Sequence, residues 1–166
     1  WCLPKMKQIK MKKRAYRMSL EVSIRSLESI DQDNWKQLWT EYLNFYETTV
    51  STSVYKTAFK CLISNDLKEY QCFVAELNGE IIGLAHYLFH RNLWSVNDTC
   101  YLSDLFVVPK FRGKGIARKL IQKVAGHAKD HGVEGVYWMT QEFNYKGRML
   151  YDQVAEKTPF IVYEMS

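Results

Sequence analysis

The chain has 166 residues, enough for one domain with a substantial core. Apolar residues make up 47% of it and aromatics 14%, which excludes a disordered chain, and no run of about eighteen apolar residues occurs, so a spanning helix is not expected. The net charge of +5 is unevenly spread: residues 1–19 hold seven basic side chains and no acid, leaving 16 basic against 18 acidic in residues 20–166.

Those seven, Lys5, Lys7, Lys10, Lys12, Lys13, Arg14 and Arg17, form a single-sign run. Such runs are usually solvated, although a basic arm can also touch nucleic acid or an acidic membrane surface. Met18, followed by Ser-Leu-Glu, is the expected start of the domain, which is placed over 18–166, with 1–17 as a disordered or non-native extension. No apolar segment follows the first lysines, so no signal peptide is expected. Cys2, Cys61, Cys72 and Cys100 are widely spaced and lack a C-x-x-C pair, which reads as reduced thiols in a cytoplasmic protein.

Residues 20–25 alternate apolar and polar and predict a first strand. Asp31 is placed to cap a helix in which Trp35, Leu38, Trp39, Tyr42, Phe45 and Tyr46 recur at three- and four-residue spacing. A second short helix is expected over 54–63. Residues 71–77 and 80–90 read as a hairpin joined by Asn78-Gly79, because Asn-Gly supplies the positive φ angles of a tight primed turn. A strand over 99–108 ends at Pro109. After the glycines, Ile116, Leu120, Ile121, Val124 and Ala128 form one apolar stripe of a helix, with Arg118, Lys119, Lys123 and Lys129 mostly off it. Gly132 closes that helix. A short strand over 136–140, a helix over 144–153 and a last strand over 160–165 complete a mixed α/β (α+β) layer architecture.

The chemistry concentrates at the junction of the 99–108 strand with the striped helix, where Arg112-x-x-Gly115-x-Ala117 appears. Small residues let the backbone turn tightly so that several N–H groups face one point, and the helix dipole adds partial positive charge. A pyrophosphate suits such a site. Two other phosphate motifs are missing: there is no Gly-Lys-Ser/Thr of a P-loop, and no Gly-x-Gly-x-x-Gly opening a βαβ unit.

The chain here resembles the GNAT superfamily of N-acetyltransferases, whose acetyl-CoA signature, Gln/Arg-x-x-Gly-x-Gly/Ala, is matched at Arg112, Gly115 and Ala117. The resemblance runs over residues 20–166. The aromatic run from Trp35 to Tyr46, Tyr101-Leu-x-Asp104-Leu-Phe-Val107, and Val136-Tyr-Trp-x-Thr140 with Asn144 and Leu150-Tyr151 are similar to the fungal histone-and-other-protein acetyltransferases, a group that includes D-amino-acid acetyltransferases. The stretch from Tyr101 to Val107 is similar to spermidine/spermine acetyltransferases too.

The resemblance implies a GNAT fold: a mixed, mostly antiparallel central sheet of six to seven strands with about four helices. It implies direct transfer of acetyl from acetyl-CoA, in a ternary complex, to a primary amine: a polyamine, an amino acid or a lysine-like small molecule. A protein or histone lysine is the alternative acceptor. Leu105, Phe106 and Val107 would pair their backbone with the pantetheine arm. The loop of Arg112, Gly113, Lys114, Gly115, Ile116, Ala117 and Arg118 would hold the pyrophosphate. Asn144 would bond the cofactor, and Tyr151 would protonate the departing thiolate. The family's Gly-aromatic pair after this tyrosine is replaced by Ala155-Glu156. Relatives often pair, so a homodimer is expected from the resemblance.

Attack on a thioester also needs a free amine. A lysine-type amine, of pKa about 10.4, costs about 4–5 kcal/mol to deprotonate at neutral pH. Asp104 is the candidate to bind the cation or take its proton, since a carboxylate among aromatics is costly to bury without purpose. The other reading of Asp104 is a solvated strand end, and that of Tyr151, among Met149, Leu150 and Val154, is a core tyrosine. His86 and His90 share a strand face by period two; no further ligands stand out, so no metal is assigned and both are read as packed or facing substrate. His90 and Trp94 are candidates to line the amine pocket. The aromatic run of the first helix reads mostly as core, with an edge able to bind a cation. A non-catalytic CoA-binding module or a basic-armed adaptor is the second reading, opposed by the presence of Gly115, Asn144 and Tyr151.

Overall fold

A computed structural model describes residues 21–165 except residue 134. The basic extension 1–17, with Cys2, and Leu20 of the first predicted strand lie outside the described residues. The elements run β1 (Ser23–Ser26), a 3-10 turn (Ser29–Asp31), α1 (Gln32–Phe45), α2 (Thr52–Leu62), β2 (Gln71–Leu77), β3 (Glu80–His90), β4 (Thr99–Val107), a 3-10 turn (Pro109–Phe111), α3 (Ile116–Asp130), β5 (Val136–Tyr137) and α4 (Tyr145–Val154). One sheet takes the strands in chain order, antiparallel throughout except for the parallel pair of β4 with β5. Among the described residues no helix is long and apolar enough to cross a membrane.

Local chemistry explains most boundaries. Asn78 and Gly79, at φ 53° and 83°, make the primed turn between β2 and β3. The Ser51 hydroxyl accepts the Val54 N–H and starts α2. At the end of α3, Gly132 adopts φ 74°, its N–H bonds the Lys129 carbonyl, and the Val133 N–H bonds the Ala128 carbonyl, which is a Schellman closure.

Asp31 precedes α1 but its side chain does not cap that helix. Arg25 of β1 grips it with two bonds, Nη1 to Oδ2 at 2.6 Å and Nη2 to Oδ1 at 2.9 Å, and the Glu28 N–H adds a third at 2.9 Å. A bidentate, charge-assisted pair outcompetes a single backbone N–H. The Arg25 hydrogen bonds hold the Asp31 carboxyl below its ordinary range against the opposing effect of burial. Arg25 Nε also reaches Glu76 of β2 at 2.6 Å, so this cluster ties β1, β2 and the entry to α1 together.

Among the described residues the sheet has five strands rather than six to seven. The predicted strand over 160–165 does not form, and Phe160, Ile161, Val162, Tyr163 and Met165 are exposed. A further strand needs an edge to pair with; β5 is two residues long, and the chain leaves the sheet after Tyr137. The exposed segment follows Ala155, an extended residue where α4 ends without a glycine.

Two cores flank the sheet. One packs Phe73, Ala85, Tyr87, Cys100, Leu102 and Val107 against the stripe of α3, with Leu150, Tyr151 and Val154 of α4 at its margin. The other packs Cys72, Val74, Ile81, Leu84 and Phe106 against Trp35 and Leu38 of α1 and Phe59 and Leu62 of α2. Strand β4 contributes to both through a bulge: His86 pairs with Asp104 and Tyr87 with Leu102, so Ser103 is an extra residue. Cys100 and Leu102 face α3 before it, and Phe106 faces α1 and α2 after it. Asp104, paired with His86, therefore lies on the α1 side; unbroken alternation would have placed it beside Leu102 against α3.

Gly83 marks the closest backbone approach beneath β4. A Cβ there would meet the Phe106 carbonyl oxygen at 2.9 Å and Val107 Cγ2 at 3.3 Å. Gly83→Ala is expected to destabilise the fold by about 1–3 kcal/mol through this overpacking, read as a lower urea midpoint at unchanged m-value; an unshifted midpoint would remove the constraint.

Candidate active site

Strands β4 and β5 pair only at Cys100 with Val136 and Tyr101 with Tyr137. From Leu102 onward the outer edge of β4 has no neighbouring strand among the described residues, and its outward backbone groups lack a ladder partner there. A narrow cleft opens here. Its β4 wall is Leu102, Ser103 and Leu105, and Trp138 and Met139 line the side where the chain leaves β5. Tyr42 and Tyr46 of α1 and Tyr151 of α4 complete it.

Asp104 stands just behind this cleft, its side chain 17% exposed. It is not one of the lining residues; Ser103 and Tyr42, which adjoin it, are. His86 Nδ1 lies 2.7 Å from Asp104 Oδ2, and Ser103 Oγ lies 3.4 Å from Oδ1. Burial pushes the carboxyl up, but the His86, Tyr42 and Ser103 contacts outweigh it and hold Asp104 below the ordinary carboxylate range. It is therefore ionised at neutral pH. Tyr42 is pushed well up, by burial first and by the Asp104 charge second, and stays a neutral phenol.

Tyr151 packs edge-on against Trp138, ring centroids 5.4 Å apart, and both line the cleft. Burial raises it above the ordinary tyrosine value, so it holds its proton throughout the neutral range. Asn144 is committed to local structure: Oδ1 accepts the Gly147 N–H at 3.1 Å as the cap of α4, and Nδ2 donates to Thr140 Oγ1 at 3.0 Å. The helix start that carries Tyr151 is thereby anchored to the segment following β5.

At the other end of β4, Gly113 and Gly115 adopt φ 74° and 78°, with open space on the face a Cβ would occupy. Gly115 begins α3 without a side chain to cap it, and the first intrahelical bond runs from the Lys119 N–H to the Gly115 carbonyl. The N–H groups of Ile116, Ala117 and Arg118 thus have no intrahelical acceptor. Arg112 turns back toward the strand: its Nε donates to the Val107 carbonyl at 2.7 Å and its guanidinium lies 5.4 Å from the centre of the Phe106 ring. Arg118 bonds Gln153 of α4. Leu105 faces the cleft, whereas the Phe106 and Val107 side chains are buried in opposite cores. The Phe106 carbonyl is turned toward Gly83 of β3.

The predicted residues thus fall into two groups along one strand edge: Asp104, Leu105 and Tyr151 at the cleft, and residues 112–118 at the far end. His90 and Trp94 do not line the cleft; His90 bonds Tyr137, and Trp94 is exposed in the β3–β4 loop. Ser103, Trp138 and Met139 carried no sequence signal as cleft residues, because only the bulge and the parting of β4 from β5 bring them there. Cys61, Cys72 and Cys100 are free thiols.

The acetyltransferase (GNAT) family profile matches residues 32–155. A D-amino-acid N-acetyltransferase of Saccharomyces cerevisiae is 35% identical over 144 residues, 86% of this chain and 89% of that one. A thialysine N-epsilon-acetyltransferase of Bos taurus is 28% identical over 138 residues, 78% and 81% of the two chains. Among solved structures, an aminoglycoside N-acetyltransferase in complex with CoA superposes with a TM-score of 0.77 at 18% identity, over 89% of this chain and 95% of that one, a likeness of fold. With the family profile spanning most of its length, this chain belongs to the GNAT family of acetyltransferases and is an acetyl-CoA-dependent N-acetyltransferase.

Proposed function

We propose that the acceptor is a small free amine, an amino acid before a polyamine, taken up in the cleft beside the free edge of β4. The observation that carries this is the pairing of a small aromatic cleft with one ionised carboxylate behind it. Tyr42, Tyr46 and Trp138 line it with aromatic rings, which can bind an ammonium group, and Asp104 supplies the compensating charge. The names of the yeast and bovine relatives, both amino-acid acetyltransferases, support the same class. Free thiols at Cys61, Cys72 and Cys100 fit a reducing, cytoplasmic setting.

In this reading the pantetheine arm completes the edge of β4 at Leu105, Phe106 and Val107, and the pyrophosphate meets the free N–H groups at the start of α3. The amine nitrogen attacks the thioester carbonyl carbon, and the C–S bond breaks with its electron pair leaving on sulfur. The nitrogen loses two protons in becoming an amide. One passes to Asp104, across the Tyr42 hydroxyl or a water, and on to solvent; Tyr151 protonates the thiolate and is restored by the second. Asp104, held below the ordinary carboxylate range, is a stronger anchor for the cation than it is a base.

Thiol release from acetyl-CoA measured against L- and D-amino acids, lysine analogues, spermidine and a histone-tail peptide is expected to show strongest turnover with an amino acid. Turnover confined to the peptide would overturn the small-amine reading. Tyr151→Phe should lower kcat on the order of 10²-fold while acetyl-CoA affinity is kept, as for loss of one general acid; a wild-type kcat would remove that role. Gly115→Glu sets a strained, negatively charged side chain at φ 78°, and calorimetric titration should show no acetyl-CoA binding. Unchanged affinity would move the pyrophosphate elsewhere.

A further inference from the structure

The carboxylate behind the cleft belongs to a longer chain of hydrogen bonds. The Trp35 indole N–H donates to His86 Nε2 at 2.9 Å, and His86 Nδ1 sits 2.7 Å from Asp104 Oδ2. An indole nitrogen can only donate, so His86 Nε2 must carry a lone pair and Nδ1 the single ring proton. That proton points at the carboxylate. The arrangement is rigid: His86 is 4% exposed, and Trp35 is 1% exposed and packed by Trp39 and Phe59 at ring distances of 5.2 Å each.

We propose that His86 is a positioning residue for acetyl transfer: Trp35 locks it as the neutral Nδ1–H tautomer, and it orients Asp104 so that the remaining carboxylate oxygen serves the cleft. This rests on the reading of Asp104 as the group that receives the amine proton.

The charge balance explains why the lock matters. A neutral imidazole donates one hydrogen bond and leaves the full negative charge of Asp104 available to an incoming ammonium. A protonated imidazole at the same place would cancel that charge and reduce the carboxylate's basicity. With the indole N–H on Nε2, a second ring proton has no acceptor and meets a donor instead. The other titratable groups facing the pair are Tyr42 and Tyr46 from α1, Tyr101 from β4 and Cys72 from β2, all raised by burial and all neutral at ordinary pH. Asp104 is thus the one charge in the network. The bulge at Ser103 completes the device, since it puts Asp104 on the same sheet face as His86 while Ser103 itself reaches the cleft.

Two measurements on the full chain test the proposal. In the unaltered protein, side-chain 15N NMR is expected to show the His86 ring proton on Nδ1 alone, with a lone pair on Nε2; in Trp35→Phe, where Nε2 loses its donor, the proton should distribute over both ring nitrogens. A wild-type His86 that carries its proton on Nε2, or a tautomer unchanged in Trp35→Phe, would overturn the lock. Kinetically, His86→Leu should lower kcat/KM on the order of 10- to 100-fold, a partial loss of general-base assistance, with acetyl-CoA affinity unchanged. Its acid limb should move to higher pH, because the buried carboxylate loses a donor and is protonated more easily. His86→Asn, whose amide nitrogen falls near the Nδ1 position, should restore most of the rate and return the limb toward wild type. A His86→Leu enzyme with a wild-type pH profile, or an Asn variant no better than Leu, would reduce His86 to packing. Asp104→Asn separates the two readings. If it keeps full activity, the proton-accepting role of Asp104 fails; if it is impaired while His86→Leu keeps its profile, only the positioning role does.

Discussion

Strand β4 changes faces at Ser103, and the site depends on that change. The bulge lets Cys100 and Leu102 pack on α3, and then turns Asp104 and Phe106 toward α1. Without it the carboxylate would enter the core against α3, away from His86, at a cost of several kcal/mol. With it, the carboxylate meets the one buried histidine of the described residues and stands next to Tyr42. Ser103 and Leu105 are left on the cleft, close to where β4 and β5 part. The same strand thus supplies core on both faces, a charge on one, and an unpaired edge.

That edge gives the fold its opening. A sheet that ran on past Cys100 and Tyr101 into β5 would close the cleft with backbone hydrogen bonds. Instead the chain beyond Tyr137 swings away, carrying Trp138 and Met139 to the cleft, and Asn144 then fixes the start of α4 so that Tyr151 faces back. At the other end of the strand, two glycines in the left-handed region lead into a helix whose first N–H groups are unsatisfied. Separate physical causes, a parted strand pair and a glycine turn, leave polar backbone free along one line.

Much of this was legible in the sequence. The Asn78-Gly79 hairpin, the apolar stripe of α3 and its Gly132 closure follow from rules that act within a few residues, and the structure keeps them. The glycine loop was visible for the same reason. What the sequence hid depends on distant partners. Trp35 and His86 are 51 residues apart, and nothing local marks either as half of a hydrogen bond. Asp31 carries the signature of a helix cap but is taken by Arg25, a competition that only the folded sheet sets up. Residues 160–165 have the composition of a strand without an edge to join, because β5 stops short. A bulge has no residue signature of its own here, so counting by twos along β4 assigns Asp104 to the wrong face.

Amide hydrogen exchange with and without acetyl-CoA bears most directly on the proposal that acetyl-CoA completes the free edge of β4. Saturating acetyl-CoA is expected to slow exchange at residues 105–107 and 113–118 while leaving the opposite edge strand, β1, unaffected. Binding that slows exchange elsewhere and leaves 105–107 unchanged would contradict it.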